Sequence, residues 1–199
     1  MKIKGVMVKE VLRKLLHFLL GIIVIVAGLT LRDKVELKLV MMVLFIILLI
    51  LIIIEYFRIE FNLEIPIYSQ FIREKEADRF NGLTYGLIGA ILAFTFFPFE
   101  IALAAVSMAI FGDAVACLIG KHIGGPKLFK KKTMIGSAAA FIINIIVGVV
   151  LLNNIIVIIV MALVSAFVEL SVDKIEDNLV VPLFAGLAGV VAMYLIQFI

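Results

Sequence analysis

Long apolar stretches dominate this sequence and restrict what the chain can fold into. Short polar segments separate seven of them, which cover residues 15–31, 38–57, 83–97, 101–120, 134–152, 154–168 and 179–198. A helix needs about 20 apolar residues to cross the hydrocarbon core of a bilayer. Hydrophobic residues make up 65% of the chain, against about 45–50% in soluble domains, which argues against a water-soluble fold.

We therefore expect an all-α protein, a polytopic transmembrane bundle of about seven spans that forms one integral membrane domain over residues 1–199. The third and sixth stretches are the shortest, and the sequence leaves open whether they cross completely. The single cysteine, Cys117, argues against a disulfide framework, and no Cys/His spacing is typical of zinc.

Basic residues are distributed unevenly along the chain. Most of its 18 lysines and arginines fall in the N-terminal segment and in alternate polar loops, and the three exceptions are Arg32, Lys34 and Lys38. Since cytoplasmic loops carry the excess of basic residues, we expect a cytoplasmic N-terminus, with the loops at 58–82, 121–133 and 169–178 on the same side. The charge of +3 does not indicate nucleic-acid binding, because the basic residues flank apolar spans. The expected partner is the lipid bilayer.

Charged residues also stand at or inside two apolar stretches. Asp113 lies within the fourth, where an ionisable side chain is costly and indicates a functional site; the alternative is an interhelical hydrogen bond. Glu10, Arg13, Lys14 and His17 have the spacing of one helical face. This group is either part of a site or a juxtamembrane basic cluster in which Glu10 pairs with Lys14. His17 needs a partner, since it lies about one turn inside a span.

A segment rich in glycine and lysine precedes the fifth stretch. It contains Gly120, two further glycines, lysines 130–132, and Thr133, Gly136 and Ser137 at a helix start. Glycines let backbone amides approach an anion, lysines supply charge, and a helix N-terminus offers unsatisfied N–H groups. The combination suits a nucleotide triphosphate, although the Walker A spacing is absent. The alternative is a glycine-rich turn followed by stop-transfer lysines.

An acidic segment, residues 169–178, separates the sixth and seventh stretches. Its four carboxylates are Glu169, Asp173, Glu176 and Asp177. Mg²⁺ takes one or two protein carboxylates together with substrate phosphates, so this segment fits a magnesium site beside the basic segment. The alternative is a solvated acidic loop. Pro182 is expected to begin the last helix.

Together these motifs resemble the CTP-dependent lipid kinase family, which includes dolichol kinase, phytol kinase and the CTP-using diacylglycerol kinase. The resemblance extends over most of the chain. Its motifs are Glu10-x-x-Arg13-Lys14-x-x-His17, Arg79-x-x-Gly82-x-x-Tyr85, Gly112-Asp113-x-x-Ala116-x-x-x-Gly120, Lys131-Lys132-Thr133-x-x-Gly136-Ser137, and Glu169 with Asp177-Asn178-x-x-Val181-Pro182.

The resemblance implies a CTP-dependent kinase that phosphorylates a membrane alcohol of the polyprenol or dolichol type, or a glycerolipid alcohol, at the cytoplasmic face with Mg²⁺. It implies that Asp113 is a catalytic base or metal ligand and that Arg13 and His17 complete a charge clamp. The implied CTP-binding residues are Lys131, Lys132, Thr133, Gly136, Ser137, Gly112 and Gly120. The implied ligands of the metal or nucleotide are Glu169, Asp177 and Asn178.

Three other functions stay open at the level of sequence. A cytidylyltransferase would make a CDP-lipid from a lipid phosphate and CTP. A transporter would use Asp113 and His17 as a proton relay, but the chain has no internal repeat and its polar loops lie on one side. A purely structural membrane protein would leave the spacing of the Gly-Asp and Lys-Thr-Gly-Ser motifs unexplained.

Overall fold

Seven helices account for nearly all of the described chain. The computed structural model describes residues 2–31, 36–63, 68, 72–73, 76–129, 132–172 and 176–198, with side chains for all of these except 2–12, 17, 31 and 129. The helices are α1 (Lys2–Leu31), α2 (Leu37–Phe61), α3 (Gly82–Phe96), α4 (Phe99–Ile123), α5 (Met134–Leu151), α6 (Ile155–Ser171) and α7 (Asp177–Ile196). Between α4 and α5, strands β1 (Lys127–Phe129) and β2 (Lys132–Thr133) form a short antiparallel hairpin.

The helix lengths confirm a polytopic helical membrane protein. Among the described residues, five helices are long and apolar enough to cross a membrane: α1, α2, α4, α5 and α7. α3 has 15 residues and α6 has 17, so they are the two short spans expected from the sequence. The seven-span topology, in which these two helices also cross the membrane, stays a prediction.

Short polar side chains, proline and glycine set the helix ends. α3 begins after Asn81, whose side chain accepts a hydrogen bond from Thr84 N at 2.9 Å, and Asn154 caps α6 in the same way. Pro98 separates α3 from α4, because the residue before a proline is disfavoured in the helical region. α4 ends at Gly124, whose φ of 73° costs glycine little.

Pro182 does not begin the last helix, so that prediction was wrong. α7 starts at Asp177 with Glu176 as its N-cap, and Pro182 lies inside the helix. Proline has no N–H, so it donates no helical hydrogen bond to the carbonyl of Asn178. α3 packs closely at this point, since a Cβ on Gly89 would lie 2.8 Å from that carbonyl oxygen. The end of the acidic segment is therefore already helical.

α4 is the central helix of the bundle. All of residues 101–109 are buried, and α1, α3, α5, α6 and α7 pack around them. Small side chains such as Ala102, Ala104 and Ala105 permit this close packing, as is usual between membrane helices. α2 packs mainly on α3, and its buried residues are Glu55 and Arg58 near its C-terminal end.

The described polar segments meet at one end of the bundle. α2, α4 and α6 end there, while α3, α5 and α7 begin there. Side chains join the segments directly: Lys132 contacts Glu169 and Asp177, and Asn178 donates a hydrogen bond to the carbonyl of Gly82. We call this the polar end of the bundle; that it faces the cytoplasm stays a prediction.

Candidate active site

An ion pair between buried Lys14 and partly buried Asp113 joins α1 to α4 at the polar end. Lys14 Nζ contacts Asp113 Oδ2, and the two side chains are 3% and 17% exposed. One helical turn further along α1, Phe18 packs edge-to-face on Phe111 with ring centroids 4.7 Å apart. The next contact is at Gly21, where a Cβ would lie 2.7 Å from the Phe111 ring. This close packing of α1 on α4 sets the position of Lys14 against Asp113.

Lys132 connects the hairpin to α6 and α7. Its Nζ lies 3.9 Å from Glu169 Oε1 and 3.6 Å from Asp177 Oδ2, and it donates a hydrogen bond to the backbone carbonyl of Glu169. Lys132 is about one-third exposed, whereas Glu169 is almost fully buried. One partly exposed cation therefore faces two carboxylates, an arrangement that can accept an anionic ligand only beside or in place of these contacts.

Gly112 brings the ion pair and the Lys132 group together. A Cβ at this position would lie 3.3 Å from Glu169 Oε2 and 3.1 Å from Asn144 Oδ1. Both side chains therefore pack against α4 at the residue just before Asp113. Asn144 donates a hydrogen bond to Ser165 Oγ at 3.0 Å, and its Oδ1 has no hydrogen-bond partner among the described atoms. A larger residue at position 112 would therefore crowd both polar side chains.

The residues expected to bind phosphates also cap and pack α5. Thr133 Oγ1 accepts a hydrogen bond from Gly136 N at 3.1 Å, and Ser137 Oγ donates to Thr133 O at 3.2 Å. A Cβ on Gly136 would lie 2.8 Å from Ala116 O, and one on Gly120 would lie 2.8 Å from Thr133 Oγ1. These contacts give the motif a structural role, and its binding of nucleotide stays a prediction.

Asn178 joins α7 to α3. Its Nδ2 donates a hydrogen bond to Gly82 O at 3.1 Å, and a Cβ on Gly82 would lie 2.9 Å from the same nitrogen. The neighbouring residue, Asp177, is the one that faces Lys132. Asn178 therefore connects the Lys132 group to the start of α3, and its role as a metal ligand is untested.

A second polar network holds the segment that leads into α3. Arg58 donates to Glu55 Oε2 at 2.7 Å and to the carbonyls of Ala77 and Arg79 at 2.9 and 2.6 Å. Tyr68 donates to Glu55, and burial together with this hydrogen bond raises the pKa of the Tyr68 phenol. Sequence reasoning missed this network by treating Arg58 as a topology signal. The available clue was a glutamate three residues before an arginine inside an apolar stretch.

The structure brings together five of the expected site residues: Gly112, Asp113, Lys132, Glu169 and Asp177. Arg13 is partly buried next to Lys14 on α1. Lys131, Asp173 and the side chains of Glu10 and His17 lie outside the described residues. Lys14 was not among the expected catalytic residues. The signal that could have identified it was that the carboxylate of Asp113 needs a cation and that Lys14 directly precedes an apolar stretch.

The described residues contain no group of three His, Cys, Asp or Glu side chains arranged to hold a metal ion. Instead, Asp113 contacts Lys14, while Glu169 and Asp177 both face Lys132. Two neighbouring carboxylates still match the donor set of Mg²⁺ when phosphate oxygens complete it.

These features define a multi-pass membrane protein with a lysine–carboxylate site at one end of its helical bundle. Three curated relatives, each a CTP-dependent diacylglycerol kinase 1, are similar to it in sequence. The Eremothecium gossypii protein is 30% identical over 143 residues, which are 69% of this chain and 44% of the relative. The Saccharomyces cerevisiae protein is 32% identical over 38% of this chain and 27% of the relative. The Schizosaccharomyces pombe protein is 31% identical over 40% and 37%.

The chain belongs to the CTP-dependent lipid kinase family, as its motifs indicated. It matches less than half the length of each of these three relatives. No family model matches the chain, and no solved structure matches it.

Proposed function

We propose that this protein is a CTP-dependent lipid kinase, which transfers the γ-phosphoryl group of CTP to the hydroxyl of a membrane lipid alcohol. The observation that carries the proposal is the convergence of Asp113, Lys14, Lys132, Glu169 and Asp177 at one end of a membrane bundle. Phosphoryl transfer depends mainly on positioning and charge neutralisation, which such a group of charges supplies. A lipid hydroxyl lies near the headgroup plane, where this end of the bundle would meet it.

In the proposed reaction, the lipid hydroxyl oxygen attacks the γ-phosphorus as the bond to the β–γ bridging oxygen breaks, and CDP leaves. Asp113 accepts the hydroxyl proton, and Lys14 holds that carboxylate in position through the ion pair. Lys132 turns from the carboxylates of α6 and α7 towards the phosphates of CTP.

Glu169 and Asp177 are the residues that would hold Mg²⁺, together with phosphate oxygens of CTP. Bound there, the ion would neutralise negative charge on the phosphates. Lys132 lies within 4 Å of both carboxylates, so a cation held by them would take the place of its ammonium. Lys132 would then contact the phosphates of the nucleotide.

Two acceptor classes are proposed. The curated relatives are named as diacylglycerol kinases, which makes diacylglycerol the first acceptor to test. The polyprenol or dolichol alcohol expected from the sequence stays a prediction and is the second.

The decisive experiment supplies purified protein with Mg²⁺ and CTP labelled at either the γ- or the α-phosphate, together with diacylglycerol, a polyprenol, phytol or, in a separate reaction, phosphatidate. Label from γ-CTP in the lipid, with CDP as the second product, supports the kinase. Label from α-CTP in a lipid supplied as its phosphate would instead show cytidylyl transfer. No label in any lipid would overturn the proposal, provided that circular dichroism shows the purified protein to be helical.

A further inference from the structure

An apolar cavity of about 900 Å³ lies between α1, α2, α3, α4 and α7. Side chains from all five helices line it, among them Val24, Val40, Leu87, Val106 and Met193. Its volume is near the upper end of the range of about 300–1,000 Å³ for small-molecule sites. Of its described lining residues, only Glu100 and Asn178 carry polar side chains, so the cavity suits hydrocarbon rather than a nucleotide or water.

The cavity lies between helices that pack on different partners. α1 packs mainly on α4, and α2 packs mainly on α3. Gly28 explains the first contact, because a Cβ there would lie 2.5 Å from Leu103 Cδ2. The outer helix α2 has no buried residue along its most apolar stretch, so the face of that stretch opposite the cavity is left to bilayer lipid. Since α1 and α2 make few direct contacts with each other, a hydrocarbon chain would enter the cavity from the membrane between these two helices.

One end of the cavity lies about one helical turn from Asp113, because Ala109 and Ile110 of α4 line it. Gly82 and Asn178 line it at the polar end of the bundle, and Asp177, the residue before Asn178, faces Lys132. On α2 the lining extends from Leu37 to Leu51, which at 1.5 Å per residue is about 21 Å. This exceeds half of the roughly 30 Å hydrocarbon core, so a chain that starts at the polar end of the cavity would extend past the bilayer midplane.

We propose that this cavity binds one hydrocarbon chain of the lipid acceptor and presents its hydroxyl to the Asp113 site. The inference rests on the proposed kinase function and adds to it a determinant of acceptor chain length. The position of Ala109 and Ile110, about one helical turn before Asp113, favours the acceptor over a structural lipid, which would need no such proximity to the charged site.

The test combines variants that fill the cavity with a larger side chain and acceptors that differ in acyl-chain length. Val24→Trp and Val40→Trp place an indole in the cavity, while Val149→Trp, on the exposed face of α5, is the matched control. For the cavity variants, kcat/KM for dioleoylglycerol should fall at least about tenfold relative to dioctanoylglycerol, since a single methylene can change kcat/KM by about 10- to 200-fold. The KM for CTP should not change. An unchanged ratio of the two acceptors in both cavity variants would overturn the inference while leaving the kinase function intact.

A second measurement does not depend on turnover or on the variants folding. Wild-type protein in vesicles is irradiated with a diacylglycerol that carries a diazirine at the end of one chain. The label should concentrate on residues 20–28 of α1 and 37–51 of α2 and be reduced by excess dioleoylglycerol. Labelling spread evenly over all lipid-facing helices, including Val149 and Phe167, would show bulk lipid contact only and overturn the inference. A wild type that concentrates the label but phosphorylates no acceptor would retain the binding site and refute the kinase function.

Discussion

At the scale of single residues, Asp113 and Lys14 each supply the counter-charge that the other needs. A carboxylate in the central helix would be costly alone, and so would the nearly buried ammonium of Lys14. Their contact lowers both costs, but removing one partner leaves the other charge uncompensated. Stability and activity must therefore be measured separately when either residue is changed.

We predict that Asp113→Asn lowers kinase activity by at least about 10²-fold, the usual effect of removing a general base. It should also destabilise the protein by about 3–5 kcal/mol, because Lys14 stays buried without its counter-charge. Thermal unfolding in detergent measures the second effect. The double variant Asp113→Asn/Lys14→Met should recover stability without activity. If it recovers activity as well, Asp113 is only an ion-pair partner.

Lys132 is the partly exposed cation of the site, and we predict that Lys132→Ala raises the KM for CTP and lowers turnover. A charge-assisted contact of about 1.5–3 kcal/mol corresponds to a loss of roughly 10- to 150-fold in kcat/KM. Lys127→Ala, an exposed lysine in the same hairpin, is the control and should have wild-type kinetics. Equal effects of the two substitutions would show that Lys132 contributes only to the overall positive charge of the loop and does not contact CTP specifically.

At the scale of elements, the contact between α4 and α5 determines which residues can occupy the Thr-x-x-Gly motif. A Cβ on Gly136 would lie 2.8 Å from Ala116 O, a backbone atom that cannot rotate away. We predict that Gly136→Ala destabilises the protein by about 1–3 kcal/mol, as overpacking does. The control is Gly86→Ala in α3, where the new methyl would lie 3.6 Å from Asn178 Cβ. Thermal unfolding of Gly136→Ala at the wild-type temperature would contradict this packing.

The segment before α3 depends on Arg58, which donates to the carbonyls of Glu76, Ala77 and Arg79. We predict that Arg58→Lys exposes this segment to trypsin at least about tenfold faster, because an ammonium cannot reproduce the bonds of the planar guanidinium. The substitution keeps both the charge and the number of tryptic sites. Arg73→Lys should be cleaved at the wild-type rate, because Arg73 is about one-third exposed and its guanidinium lies 3.9 Å from the Glu76 carboxylate. Equal rates in the two variants would assign no structural role to Arg58.

At the scale of the whole molecule, the bundle has a polar end and an opposite end, separated by the length of α5. Lys127 lies in the hairpin before α5, and Asn153 lies just after it. In a Cys117→Ala background, we predict that cysteines at these positions react with an impermeant thiol reagent from opposite sides of the membrane, Lys127→Cys from the cytoplasm. Labelling of both from one side would contradict the topology, and periplasmic or extracellular labelling of Lys127→Cys alone would reverse it.

The sequence was sufficient for the number of helices and for the approximate limits of all except α1, which begins at Lys2 rather than near residue 15. Apolar stretches of this length have few alternatives in a bilayer, where every backbone polar group must be satisfied within a helix or a closed barrel. The alternation of spans also predicted which polar segments share one end, and it thereby grouped Asp113, Lys132, Glu169 and Asp177. Pro182 was misjudged because the start of α7 depends on Glu176 and on contacts with α3.

Only the tertiary structure could decide which of these side chains touch. Lys14 and Asp113 are 99 residues apart, and the neighbouring sequence does not distinguish Lys14 from the other lysines next to apolar stretches. The capping role of Thr133, the network around Glu55 and the cavity beside α1 depend equally on how the helices pack. Helical periodicity determines which residues share a face, but which face meets which neighbour depends on side-chain packing across the whole bundle.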